Sequence, residues 1–326
     1  MKQQSGSALV AALCFIFGAS LLTMAVLAMS KYNTFTVRPH IEMQRSFYIS
    51  EGAANRIQWL LAADRQLHSV TNPGREAYED YEYDRYIADG VLHTLDYYGT
   101  PVEFTITDAN SGIDFSSRSW RNTLRSFKLA YDTDTDFTEQ IDLLEDLLAD
   151  YTDSNDTITG DGKELAEYEA ENKRPLPRNG AMQYREELFY IDGFTAVFPP
   201  DKYGILSSIR LIPPDNMAVL NGRPNVFTAD KFTLMTYCDF EEEEAETVLE
   251  ALRIFQRDRI NLEDQLDIDL LPRLQTMLSW QESGYYTVNI RPPAGKIGKR
   301  LTFSFQGFGV SGPSNERVRY LQWLFY

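Results

Sequence analysis

The chain has 326 residues, 43% hydrophobic and 24% charged, enough for a sizeable core and unlike the composition of a disordered chain. Lys+Arg number 31 against 48 Asp+Glu, and the net charge of −17 argues against a nucleic-acid partner, because phosphate contacts need a basic face. The 2 cysteines exclude a disulfide scaffold, and the 3 histidines (His40, His68 and His93) leave little for a zinc site or a histidine-based triad.

The first predicted element is an apolar run from Ala8 to Met29 that carries no charge. As a helix it is about 33 Å long, enough to cross a bilayer core. A cleaved secretory signal has a shorter apolar core and a small-x-small site, which Ala25 to Met29 imitates. Lys2 and the amino terminus on one side, Lys31 and Arg38 on the other, leave orientation undecided by charge. Ahead of the run stands a short polar leader ending in Gly6. It resembles the class III signal of type IV pilins and pseudopilins. That resemblance implies a cut between Gly6 and Ser7 by a prepilin peptidase at the cytoplasmic face, methylation, and retention of the apolar helix. Most pilins carry Glu five residues after the cut, where this chain has Ala11. A carboxylate at that depth is costly unless paired. In the family it pairs with the neighbour's amino terminus, so a subunit with no neighbour ahead of it needs none.

Beyond the run, Met43, Phe47, Ser50, Ala54, Ile57 and Leu61 recur at spacings of three and four, which predicts an amphipathic helix continuing the first. Pro39 is expected to kink or break the join. Residues 69–84 are polar, with a turn at Asn72-Pro73-Gly74. A strand is predicted within Arg85 to Asp96, and another where Val102, Phe104 and Ile106 alternate with polar neighbours, ended by a turn at Asp108 to Gly112. From 116 to 282 the pattern is mostly helical. Stripes fall at Ile141, Leu144, Leu147 and Leu148, along Glu241 to Arg257, and along Leu262 to Trp280. Strand patterns return at Tyr286, Val288 and Ile290 and at Leu301, Phe303 and Phe305, and the aromatic tail from Val318 to Tyr326 is placed to close the sheet. This order predicts an α+β fold with a helical domain inserted between strands of one antiparallel sheet.

Across nearly its whole length the chain resembles the K-type minor pseudopilin of the type II (general) secretion system. Phe47 to Ala54 is similar to that family's aromatic-alanine-rich helix segment, and Asp108 to Ser116 to its lead into the inserted domain. Leu147 to Asn155 resembles its Leu-Leu-Asp-Trp-x-Asp-x-Asp motif, with Tyr151 for Trp and Asn155 for Asp. Gly162-Lys163-Glu164 with Tyr168, Asn179-Gly180, Glu186-Glu187-Leu188, Gly193, and Asn225 to Ala229 follow in the family's order, Phe227 being a departure. The resemblance implies a leader at 1–6 and an amino-terminal helix at 7–66 that spans the membrane over 8–30. It also implies a pilin-like fold with β-domain parts at 67–115 and 283–326, and an inserted domain at 116–282 in two portions, 116–222 and 223–282. It implies a single-pass inner-membrane protein with a cytoplasmic amino terminus and a periplasmic globular part. Its partners would be minor pseudopilins of I and J types, and its place the tip of the pseudopilus that exports folded proteins. A minor type IV pilin of an adhesion or DNA-uptake pilus, and a membrane-anchored periplasmic enzyme, are the alternatives.

One loop has metal-ligand spacing. From Asp153 to Glu164, oxygen-bearing side chains occupy the first, third, fifth, seventh, ninth and twelfth positions: Asp153, Asn155, Thr157, Thr159, Asp161 and Glu164. This is EF-hand spacing, and calcium prefers such hard donors. The sixth position is Ile158 where the turn wants glycine, while Asp156, Gly160 and Gly162 allow other geometries. Calcium is reported for the inserted domain of the K family, which supports a structural ion here. The alternative is a solvated acidic loop capping the next helix. The run Glu241 to Glu244 reads as a solvated helix start, and Asp264, Asp267 and Asp269 as a polar helix face. No nucleophile elbow, phosphate loop or histidine-metal spacing is found. Gly307 to Gly312 reads as a loop between strands, and no enzyme is expected.

Overall fold

The computed structural model describes residues 4–67, 85–116, 119–131, 135–173, 176–201, 204–211, 222–292, 298–307 and 320–325. The expected turn at Asn72-Pro73-Gly74 and most of the Gly307 to Gly312 loop lie outside them.

Helix α1 runs from Gln4 to Leu67, 64 residues, and is assigned as helix through Pro39. The expected break is therefore absent. The ring deletes one backbone hydrogen bond, and the turn that follows carries an Arg38–Glu42 ion pair at 3.2 Å. The amino-terminal half exposes Leu9, Phe15, Ile16, Leu22, Met24 and Met29, and by length and composition α1 is long and apolar enough to cross a membrane. From Ser46 onward one face is buried: Ser46, Ser50, Ala53, Ala54, Ile57 and Leu61.

That face lies on an antiparallel sheet of 5 strands in the order β1-β2-β5-β6-β7. The strands are β1 (Asp89–Tyr97), β2 (Thr100–Asp108), β5 (Tyr285–Ile290), β6 (Leu301–Gln306) and β7 (Tyr320–Phe325). Period-two alternation sorts the two faces. Toward α1, Phe104 pairs with Ile290 and Ile290 with Leu301, while Ile106 pairs with Val288 and Val288 with Phe303. These residues form one apolar core with Ala53, Ala54, Ile57 and Leu61. The opposite face carries polar rungs, Thr107–Thr287–Ser304–Gln322 and Thr105–Asn289–Thr302–Leu324.

The helical region enters after β2 and leaves before β5, two strands that are neighbours in the sheet. It contains α2 (Trp120–Ala130), α3 (Thr135–Thr152), α4 (Leu165–Ala170), α5 (Phe194–Val197), α6 (Lys231–Cys238), α7 (Glu242–Asp258) and α8 (Leu270–Met277). It also holds a short parallel pair that the sequence did not announce, β3 (Ile113–Asp114) with β4 (Ile209–Arg210). One apolar cluster draws on residues between Ile113 and Ile209, a second on residues between Val226 and Leu278, and Phe127 meets Phe232 across them. The stripe expected along Leu262 to Trp280 is not one helix. Leu262–Asp264 is a 3-10 turn, Asp269 is the N-cap of α8, and Pro272 stands in the first turn, where a missing amide costs no hydrogen bond. Asp264, Asp267 and Asp269 therefore do not share a helix face. Glu242, Glu243 and Glu244 occupy the first turn of α7, where acids favour the helix dipole.

The seam between sheet and insertion is polar and closed. Asp108, at the end of β2, accepts hydrogen bonds from the Ser283 amide and hydroxyl, each at 2.6 Å, and from the Asn110 amide at 2.8 Å. The Ala109 amide donates to the Tyr285 carbonyl at 2.9 Å. Beside them Arg65 of α1 bridges the buried carboxylates of Asp64 and Glu282 and donates to the Tyr286 hydroxyl at 2.9 Å. Glu282, Tyr286 and Asp64 keep that guanidinium charged despite its burial.

Candidate metal centre

Helix α3 ends at Thr152 and α4 begins at Leu165, so the loop 153–164 is held between two helices. Two acids one turn apart on α3 grip it. Asp150, fully buried, accepts from the Thr159 amide at 3.0 and 3.2 Å, and Asp146 accepts from the Asp161 amide at 2.9 Å. This close approach explains the glycines. A side chain at Gly160, which has φ +54, would run into the Asp146 carboxylate, and one at Gly162 into that of Asp150.

Asp150, Asp153 and Glu164 converge, with one carboxylate oxygen of each within 4.8 Å of the others. Glu164 is buried at the N-cap of α4, its own amide donating to Glu167 at 3.1 Å. Neither of its carboxylate oxygens has a hydrogen-bond donor. Burial, and then the charges of Asp150, Asp153, Asp156 and Glu167, push its carboxyl up to about 6. A buried carboxylate with both oxygens unpaired beside two more acids is costly unless a cation completes it. Three hard oxygen donors suit calcium, and the residues fit that ion.

The other sequence-predicted residues are placed differently. The Asn155 side chain lies on Asp153, donating at 2.7 Å, and its own oxygen accepts from the Thr157 amide at 2.8 Å. Asp156, Thr157, Thr159 and Asp161 are exposed, and Asp156 accepts from Asn179 at 3.4 Å. Of the loop residues in EF-hand spacing, the structure brings Asp153 and Glu164 together and adds Asp150, which that spacing does not include. The available signal was an acid in the last turn of a helix, where the dipole disfavours it. Next to it, the Tyr151 hydroxyl donates to Glu187 at 3.0 Å, which also takes Arg178 at 2.8 Å and ties α3 to the segment at 185–190. Gly6 and Ser7 both lie near the start of α1.

No family model matches this chain, and no curated protein matches it. Among solved structures it resembles a chain of the GspK-GspI-GspJ complex from the type 2 secretion system of enterotoxigenic Escherichia coli. The TM-score is 0.50 with 14% identity, and the match covers 89% of this chain and 99% of that one. The likeness is one of fold. The long helix, the antiparallel sheet and the helical region make up a mixed α+β architecture, as expected from the sequence and consistent with that fold.

Proposed function

We propose that this chain is a K-type minor pseudopilin of a type II secretion system, placed at the tip of the pseudopilus and supporting export of folded proteins. The observation that carries the reading is the architecture. A single helix with an exposed apolar half continues onto an antiparallel sheet, and a large helical domain interrupts that sheet between neighbouring strands. The same fold occurs in a chain of a secretion complex that names three Gsp proteins. On this reading the partners are subunits of I and J types, the apolar half of α1 sits in the inner membrane with its amino terminus in the cytoplasm, and the globular part is periplasmic. Ala11 in place of the pilin glutamate fits a subunit that follows no other, and the insertion is too wide to be followed by another.

Calcium at Asp150, Asp153 and Glu164 belongs to this proposal, with Asn155, Asp156, Thr157, Thr159 and Asp161 on the same loop as further oxygen sources. The ion would cancel the mutual repulsion of the three acids and fix the loop between α3 and α4; its role is structural, not catalytic.

Mass spectrometry of the mature amino terminus, with and without a prepilin peptidase, tests the reading. The expected result is a peptidase-dependent terminus at Ser7. An uncut chain, or a cut near Met29, overturns it.

A further inference from the structure

We propose that a polar cleft between the first turns of α2 and the end of α6 binds an oxyanion, a carboxylate or phosphate group carried on a larger ligand. The cleft has a volume of about 390 Å³. It lies apart from the acidic loop, and its occupation does not depend on the pseudopilin reading.

The central group is Arg210 of β4, whose side chain is 7% exposed. Its Nη1 donates to the Asn110 carbonyl at 2.9 Å and its Nη2 lies 3.3 Å from Asp114, but Nε has no acceptor. A charged donor buried without an acceptor is rare, because its lost hydration is repaid by nothing in the protein. Across the cleft, the Thr236 hydroxyl of α6 is likewise buried and without a partner.

The walls are rich in hydroxyl and amide groups. Ser119, Asn122 and Ser126 recur along one face of α2 and line the cleft. Ser119 stands at the N-cap and makes no side-chain capping bond, and the first turn holds no acid. An anion is the natural complement to such a helix start. Arg223 adds a second positive charge at the rim. The one carboxylate present, Asp114, is already engaged, accepting from the Ser116 amide at 2.9 Å as well as facing Arg210. In a chain of net charge −17, this cleft gathers two guanidinium groups against one carboxylate, and two of its buried polar atoms, Arg210 Nε and Thr236 Oγ1, have no partner. A guanidinium Nε–H and helix amides only donate, so the ligand must bring acceptors and negative charge. The volume exceeds that of a lone ion, hence a group borne on something larger. The roomier cavity of about 540 Å³, over the polar face of the sheet, shares Arg210 with this cleft but lacks Ser119, Asn122, Ser126, Arg223 and Thr236. There the hydroxyls pair among themselves, Thr287 with Ser304 at 2.7 Å and Thr302 with Asn289 at 2.6 Å.

Calorimetric titration of the full chain in detergent micelles tests this, with inorganic phosphate in one arm and succinate in the other. Saturable binding is expected in at least one arm, and the arm that saturates identifies the group. Asn122→Asp and Arg223→Glu, at exposed positions and so leaving Tm unchanged, should each weaken it by about tenfold or more, as expected for a charge-assisted contact made repulsive. Thr236→Val, which deletes a hydroxyl that holds nothing in the free protein, should weaken it as well. Absence of saturation in both arms, or equal affinity in the Asn122 and Arg223 variants, overturns the proposal.

Discussion

Glu164 lies buried beside other acids with no hydrogen-bond donor on its carboxylate. Without metal its carboxylate is buried, unpaired and pushed up to about 6, first by burial and then by its acidic neighbours. Glu164→Gln should therefore be neutral or stabilising in calcium-free buffer, because it removes a repelled charge of nearly the same shape. With calcium the order inverts. An ion binding only the folded state adds about 2.7 kcal/mol at a hundredfold excess over Kd, so the wild type should gain several degrees in Tm that the variant does not. Thermal melts with EGTA and with calcium read both effects, and a wild type indifferent to calcium would remove the metal from the account. Asp150 belongs to the same trio, and the spacing of acids along the loop did not include it. Its role follows from burial against Gly162 and Thr159, which a pattern of acids along the chain does not encode. Asp153 and Glu164 were legible because the loop's length sets their separation.

At the scale of elements, alternation and periodicity carried the strands and the long helix. Val102, Phe104 and Ile106 are fully buried and face α1, as their alternation with Glu103 and Thr105 requires. Tertiary choices were harder to read. The two-residue strands β3 and β4 are too short for any period, and the apolar spacing from Leu262 to Trp280 does not reveal that the backbone turns before Leu270. The packing of α1 on the sheet makes its small residues necessary. Ala53 and Ala54 are both fully buried, and Gly52 lies under the Tyr97 hydroxyl. Ala54→Leu adds volume where helix and sheet are already in contact and should cost about 1–3 kcal/mol. A urea midpoint equal to that of the wild type would mean that α1 can lift from the sheet without penalty.

For the whole molecule, the Asp108–Ser283 clamp makes stability depend on pH in an unusual direction. Asp108 is fully buried, and burial raises its carboxyl from 3.8 to about 6; the bonds from Ser283 and Asn110 oppose the shift and the nearby Glu282 adds to it. Because the folded value lies above the unfolded one, the stabilisation is complete below about pH 4 and is lost as pH rises through 6, by roughly 3 kcal/mol at most. Asp108→Asn, neutral throughout, should be less stable than the wild type, since its amide nitrogen meets the Ser283 amide. Its deficit should shrink between pH 4 and pH 7. A deficit constant over that range would show that Asp108 does not titrate there. The acid-rich surface is a property of the same scale: a chain at −17 tolerates two guanidinium groups against one carboxylate, as around Arg210, only where a few side chains are gathered by the fold.

The same seam orders events in time. Residues 108 and 283, bonded to one another, are 175 positions apart. β2 and β5 would form a simple hairpin if the insertion were absent, and with it they are the ends of a very long loop. Closing such a loop as open chain is entropically dear, whereas an insertion already folded presents its two ends side by side. The β2–β5 pairing, which alone among the sheet's pairings spans the insertion, is thus expected to close after the insertion has folded, and the continuous face that receives α1 depends on that closure. Whatever slows the folding of residues 109 to 282 prolongs the interval in which the second half of a membrane-length helix has no continuous face to lie on.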